Sequence, residues 1–228
     1  MTDILQQLSY CIEKGRVSKN STYPRDMIGL DGAVELTANA LQNQISAHNV
    51  LNLGLLPGMK IVGEKFKAGK IFLPEVLISA KAMSSSMELL KPYFKSGELS
   101  FKGKVVMGTV AGDLHDIGKN IVKMVLEGGG WEVIDLGVNV TAEKFIEAVK
   151  TNSIKIVGLS ALLTTTMQNM SSIVKRLKEE SSDIFVIIGG APVTKVFADS
   201  INADEYFHDP QGMLDYLNKN FSEKLDEK

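Results

Sequence analysis

Lys104-Val105-Val106-Met107-Gly108-Thr109-Val110, continuing into Ala111-Gly112-Asp113-Leu114-His115-Asp116-Ile117-Gly118, is the stretch whose reading decides the fold of this chain. Its first seven residues form a short apolar run rich in β-branched side chains, the pattern of a buried strand. From Ile117 to Leu126 apolar residues return at helical spacing. The intervening residues therefore form a strand-to-helix loop at the carboxyl end of a strand, where ligands bind in open α/β sheets. A histidine beside a carboxylate and just ahead of a glycine, in such a loop, suits a histidine offered to a metal.

Downstream the same alternation repeats. Short β-branched runs at Glu132–Asp135, Ile156–Ser160, Phe185–Ile188 and Tyr206–Phe207 are separated by amphipathic segments. Alternating strands and helices predict a doubly wound, parallel, five-stranded sheet of flavodoxin or Rossmann type over residues 103–221. The loops after the first, third and fourth strands should share one rim, which would bring together Asp113 to Gly118, Ser160 to Thr166 and Gly189-Gly190-Ala191-Pro192.

Upstream the period changes. Ala33, Leu36, Ala40 and Leu41, then Val62 and Phe66, then Val76, Leu77, Ala80, Met83, Met87 and Leu90 recur at helical spacing and predict a helical bundle over residues 1–95. Pro57-Gly58 marks one helix start, Gly69 its end, and Pro74-Glu75 the start of the next. Residues 96–102 read as a linker and 222–228 as a charged tail. Arg16 to Arg25 is polar and aperiodic and reads as a long loop.

The chain has 228 residues, 44% of them hydrophobic and 23% charged, which is ample for real cores. A net charge of -2 with no basic cluster argues against a nucleic-acid surface. The single cysteine, Cys11, excludes an intramolecular disulfide, and with no leader pattern the expected compartment is the reducing cytoplasm. Apolar runs are strand-sized, so no membrane span is expected. Neither Gly-x-Gly-x-x-Gly nor a P-loop motif occurs, which disfavours dinucleotide and nucleoside triphosphate sites.

Asp113-x-His115-x-x-Gly118, Ser160-x-Leu162 and Gly189-Gly190, in that order and on those elements, resemble the three signatures of the cobalamin-binding domain of methyltransferase corrinoid proteins. Leu56-Pro57-Gly58-Met59, Gly63-Glu64, Phe66 and Phe72-Leu73-Pro74-Glu75-Val76 are similar to the helical cap found in that family and in methionine synthase. The likeness runs from about Leu55 to Asn218. Several ordered motifs are far more specific than one.

The resemblance implies a cobalamin or related corrinoid bound base-off, with His115 replacing the cofactor's own base as axial cobalt ligand. Asp113 would accept the other ring N–H and fix the tautomer. Where the family has a serine, Thr166 would complete this polar relay. Ser160, Leu162, Gly118, Gly189 and Gly190 would border the slot for the nucleotide tail, the glycines letting backbone approach it, while Phe66 and Leu73 would shield the opposite face of the corrin. The family's function follows as an expectation: a methyl carrier between a substrate-specific methyltransferase, with an aryl methyl ether O-demethylase first in line, and a second methyltransferase acting on tetrahydrofolate or coenzyme M. An ATP-dependent reductive activator is the third implied partner, in the one-carbon metabolism of an anaerobe. The chain would not be catalytic alone.

Blander readings stand beside these. Gly189-Gly190 also reads as a strand-to-helix turn, Thr164-Thr165-Thr166 as a helix cap, Phe66 and Leu73 as ordinary core, and His48 and His208 as structural. A cobalamin-dependent sensor is the alternative from another class, although the only tryptophan, Trp131, falls outside the helical half and no basic recognition helix precedes the bundle. Glu205 departs from the glycine common in the family. Two further alternatives are a mutase small subunit and a phosphate-binding flavodoxin-like module.

Overall fold

The computed structural model describes residues 2–222, so all but the first residue of the expected tail lies outside the described residues. Two compact units result, Met1–Phe101 with Glu127–Gly130, and Lys102–Leu126 with Trp131–Lys228.

The first unit is helical. It contains α1 (Thr2–Lys14), α2 (Ala33–Gln42), α3 (Ala47–Asn49), α4 (Leu56–Lys67) and α5 (Leu73–Lys95), with a π-helical segment at Val50–Leu55. Pro57 was expected to begin a helix, but α3, the π segment and α4 follow one another without a break from Ala47 to Lys67. The wider π turn, closed by Leu56 N–H donating to the Leu51 carbonyl, makes room for a proline ring that would collide with the preceding turn of a regular helix. Glu35 and Glu75 reach back to accept from the N–H groups of Gly32 and Phe72, fastening the starts of α2 and α5.

Helix α1 packs against this long helix through glycine. A Cβ at Gly54 would sit 2.8 Å from a Leu8 methyl, and one at Gly58 would sit 2.6 Å from the Ser9 carbonyl and 2.7 Å from Ile12 Cβ. The spacing Gly54-x-x-x-Gly58 thus opens a groove that α1 fills with Leu8 and Ile12, both fully buried. The loop between α1 and α2 is polar, as expected, and its shape is set by Arg16. That side chain is fully buried and donates to the carbonyls of Ser21 (2.5 Å), Lys19 (3.1 Å) and Leu30 (2.8 Å).

The second unit is a parallel sheet of β1 (Lys104–Thr109), β2 (Glu132–Asp135), β3 (Ile156–Ser160), β4 (Phe185–Gly189) and β5 (Glu205–Tyr206), in the order β2-β1-β3-β4-β5. This is the doubly wound fold expected, with β5 placed one residue earlier than Tyr206–Phe207. Helices α6 (Ile117–Gly128), α7 (Ala142–Asn152), α8 (Thr164–Met167), α9 (Asn169–Glu180), α10 (Lys195–Ser200) and α11 (Pro210–Asn220) connect and flank the strands. Val106, Val157, Val186 and Ile188 meet Phe145, Ile173 and Leu177 in one buried core. The chain reverses direction across the sheet between β1 and β3, the switch point of this topology. Among the described residues no helix is long and apolar enough to cross a membrane.

Gly58→Ala should lower stability by about 1–3 kcal/mol, because its methyl meets backbone and a core side chain that cannot give way. Urea unfolding checks this, and an unchanged midpoint would show that α1 does not pack there as described.

Candidate functional site

The paired registers of the central strands put Thr109, Ser160 and Gly189 in one row at the carboxyl ends of β1, β3 and β4. Everything expected on the rim follows from that row. The chain leaves β1 into the loop holding Asp113 and His115, leaves β3 through Ala161-Leu162-Leu163 into α8, and leaves β4 at Gly190.

Asp113 joins two of these loops. It is fully buried, and one carboxylate oxygen accepts from the His115 N–H at 3.0 Å and the His115 ring nitrogen Nδ1 at 2.7 Å. The other accepts from the Thr166 hydroxyl at 2.6 Å and the backbone N–H groups of Leu162 and Leu163 at 2.8 and 3.4 Å. Burial alone would push this carboxyl up. The hydrogen bonds from Thr166, Leu162 and His115 outweigh it and hold the group well below the usual carboxylate range. An ionised carboxylate only accepts, so the proton of its bond with the imidazole sits on Nδ1 and the lone pair on Nε2. The His115 side chain is half exposed, leaving Nε2 open to a ligand.

Thr166 is buried within α8 and does not cap it; its hydroxyl serves Asp113 and lies 3.0 Å from the Leu163 carbonyl. Ser160 ends β3 half-buried, with no side-chain hydrogen bond among the described residues, and Leu162 is 44% exposed. A Cβ on Gly118 would meet nothing within 4 Å, so open space borders the start of α6. A Cβ on Gly189 would lie 3.3 Å from the Phe207 carbonyl. Gly190 is a different case. Its φ of +131° and the Ala161 carbonyl, 1.9 Å from where a Cβ would be, make glycine a requirement of the β3–β4 rim. Phe66 and Leu73 lie in the first unit, both half-buried. His48 and His208 are exposed and join no cluster with His115.

Several residues at the site carried no signal in the motifs. Thr109 Oγ donates to the His115 carbonyl at 2.9 Å. Asn139, in a left-handed turn with φ +53°, accepts from Gly112 N–H, and Asn169 donates to the Ala111 carbonyl. Asn139 follows Gly137-Val138, a turn pattern that could have flagged it. Around the imidazole, Leu114 (71%), Ile117 (76%) and Leu163 (43%) expose apolar surface on one rim with Leu162. Covering large side chains of this kind is worth about 1.5–3 kcal/mol each, so the rim favours contact with an apolar surface.

The B12 binding domain family matches residues 103–210, and a second family described as a B12 binding domain matches residues 30–91. A corrinoid protein of Desulfitobacterium hafniense (strain Y51) is 37% identical over 194 residues, covering 83% of this chain and 90% of the relative. A dimethylamine corrinoid protein of Methanosarcina acetivorans is 41% identical over 177 residues, covering 76% and 83%. Among solved structures, the methanol:cobalamin methyltransferase complex of Methanosarcina barkeri is similar at a TM-score of 0.79 and 28% identity, covering 97% of this chain and 81% of that one.

Two measurements probe the Asp113 network in the protein without added cofactor. Thr166→Ser should unfold close to wild type, whereas Thr166→Val, which deletes a hydrogen bond to a charge, should cost about 1.5–3 kcal/mol; equal midpoints for the two would contradict the bond. A carboxyl held below its ordinary value of 3.8 stabilises the fold above that pH and loses the contribution as pH falls toward the depressed value. The stability advantage of wild type over Asp113→Asn should therefore shrink through acid pH, and a gap that widens instead would give the shift the wrong sign.

Proposed function

This chain belongs to the corrinoid proteins of methyltransferase systems, and from that premise we propose that it carries a methyl group on a bound corrinoid from a substrate-specific methyltransferase to a second methyltransferase. The observation that carries this reading is His115 with Nδ1 tied to an ionised, fully buried Asp113 and Nε2 free. Among the described residues no three side chains of metal-ligating type converge on one point, so a metal held by His115 would take its other ligands from elsewhere, as a macrocycle provides. The open space at Gly118 and the apolar rim of Leu114, Ile117, Leu162 and Leu163 fit such a group.

When bound, the corrinoid supplies a cobalt centre that takes up and gives out the methyl group. His115 would hold it through Nε2, with Asp113 fixing the ring's tautomer and direction and Thr166 supporting the ionised Asp113. Ser160, ending β3 with a free hydroxyl, is placed to bond a polar edge of the nucleotide tail, while Leu162 and Gly189 border it. Among the described residues the Thr166 hydroxyl faces Asp113 and the Leu163 carbonyl, both acceptors. The cover expected of Phe66 and Leu73 rests on the sequence resemblance alone.

For the donor, the relatives named for dimethylamine and the methanol complex support a small methylated amine or alcohol, with the aryl methyl ether expected from sequence as a further arm of the test. Tetrahydrofolate or coenzyme M as acceptor, and an ATP-dependent reductive activator, complete the proposed system. A sensor role is less well supported: Trp131 is buried in the second unit and bonded to Asn218, so it is no residue of the helical unit.

Anaerobic reconstitution with cobalamin should give a Co(II) electron paramagnetic resonance spectrum whose axial-nitrogen splitting changes with ¹⁵N-histidine and disappears in His115→Ala. A splitting indifferent to the label would remove His115 as ligand. Demethylation of dimethylamine, methanol and an aryl methyl ether by candidate donor enzymes, each with this chain as sole acceptor, then identifies the donor class.

A further inference from the structure

The five residues Leu114, His115, Asp116, Ile117 and Gly118 are all exposed. Hydrophobic packing therefore cannot fix how far His115 stands above the strand ends, and polar anchors must. Asp113 and Thr109 provide two. The rest of the loop is held from a residue with no part in the sequence motifs, Lys119.

Lys119 sits in the first turn of α6 and is 2% exposed. Its ammonium donates to both oxygens of Asp135 at 2.7 and 2.8 Å and to Asn120 Oδ1 at 2.8 Å, three acceptors for three hydrogens. Asp135 closes β2 and also accepts from the Gly137 N–H, with Lys123 3.5 Å away. From this ion pair one string of hydrogen bonds reaches His115 and another reaches its neighbour Asp116. In one, the Gly137 carbonyl accepts from Thr109 N–H, and Thr109 Oγ donates to the His115 carbonyl. In the other, Asn120 is oriented by the ammonium so that its amide donates to Asp116, the residue after His115.

We propose that the Lys119–Asp135 pair is a positioning device that sets the height and bearing of the His115 loop, and so governs how much of a bound corrinoid is ligated by His115. Lys119 acts through the backbone of the loop and touches no reacting atom. The inference rests on the reading of His115 as axial ligand.

The test is the Co(II) spectrum of reconstituted full-length protein with ¹⁵N-histidine, reading the ratio of histidine-ligated to unligated cobalt, for Lys119→Met, Lys119→Gln and Asp135→Asn. Loss of a group that orients a metal ligand weakens ligation by roughly tenfold or more, so the ratio should fall about tenfold in Lys119→Met and Asp135→Asn. It should fall less in Lys119→Gln, which keeps a donor and serves if the methionine variant does not fold. Lys178→Met breaks a comparable pair with Asp204, remote from the loop in sequence, and should leave the ratio unchanged. A label-dependent splitting in wild type with unchanged ratios in folded Lys119 and Asp135 variants overturns the positioning role alone. An equal fall in Lys178→Met also overturns it, as general destabilisation. No label dependence even in wild type removes the ligand reading and this inference with it.

Discussion

A carboxylate withdrawn from water must find its hydrogen bonds within the protein, and Asp113 finds five, two from His115 on its own loop and one each from Leu162, Leu163 and Thr166 after β3. This one group sews two loops together across the switch point of the sheet. It also decides the chemistry of the imidazole beside it, because an ionised acceptor leaves Nδ1 no choice but to donate. Remove the sewing and the residues of the rim remain in register, but the tie between the His115 loop and the loop after β3 is lost.

The sheet beneath the site was legible because its central strands, β1, β3 and β4, are buried on both faces and so write themselves as apolar runs. Register then follows: once β1, β3 and β4 run parallel, Thr109, Ser160 and Gly189 fall in one row, and the motifs that follow them must share a rim. The role of Thr166 was less legible. A run of three threonines before a helix reads from its residues alone as a cap; the resemblance singled out the third for the Asp113 relay, and the path of the chain turns that hydroxyl inward to Asp113. At Gly190 the motif marks a glycine, and the chain path adds a reason the sequence does not carry: the Ala161 carbonyl lies where a Cβ would stand.

Lys119 and Asp135 were illegible for a different reason. Lysine is read from sequence as a solvated end of a helix, since its charge is costly to bury, and the partner that makes burial tolerable lies sixteen positions away on another strand. Contacts of this kind have no period and no local signature. The same holds for Gly54 and Gly58, whose spacing is visible in the sequence but whose meaning depends on α1 lying across them.

The Arg16 loop stores its shape inwardly. One guanidinium gathers the carbonyls of Ser21, Lys19 and Leu30, so the path of the chain is dictated by main-chain groups that every residue possesses. The outward side chains, among them Tyr23, Ile28 and Leu30, are spectators of that closure. Evolution can therefore rewrite the face of this loop one letter at a time while the arginine keeps its outline, much as a signboard is repainted without moving the post.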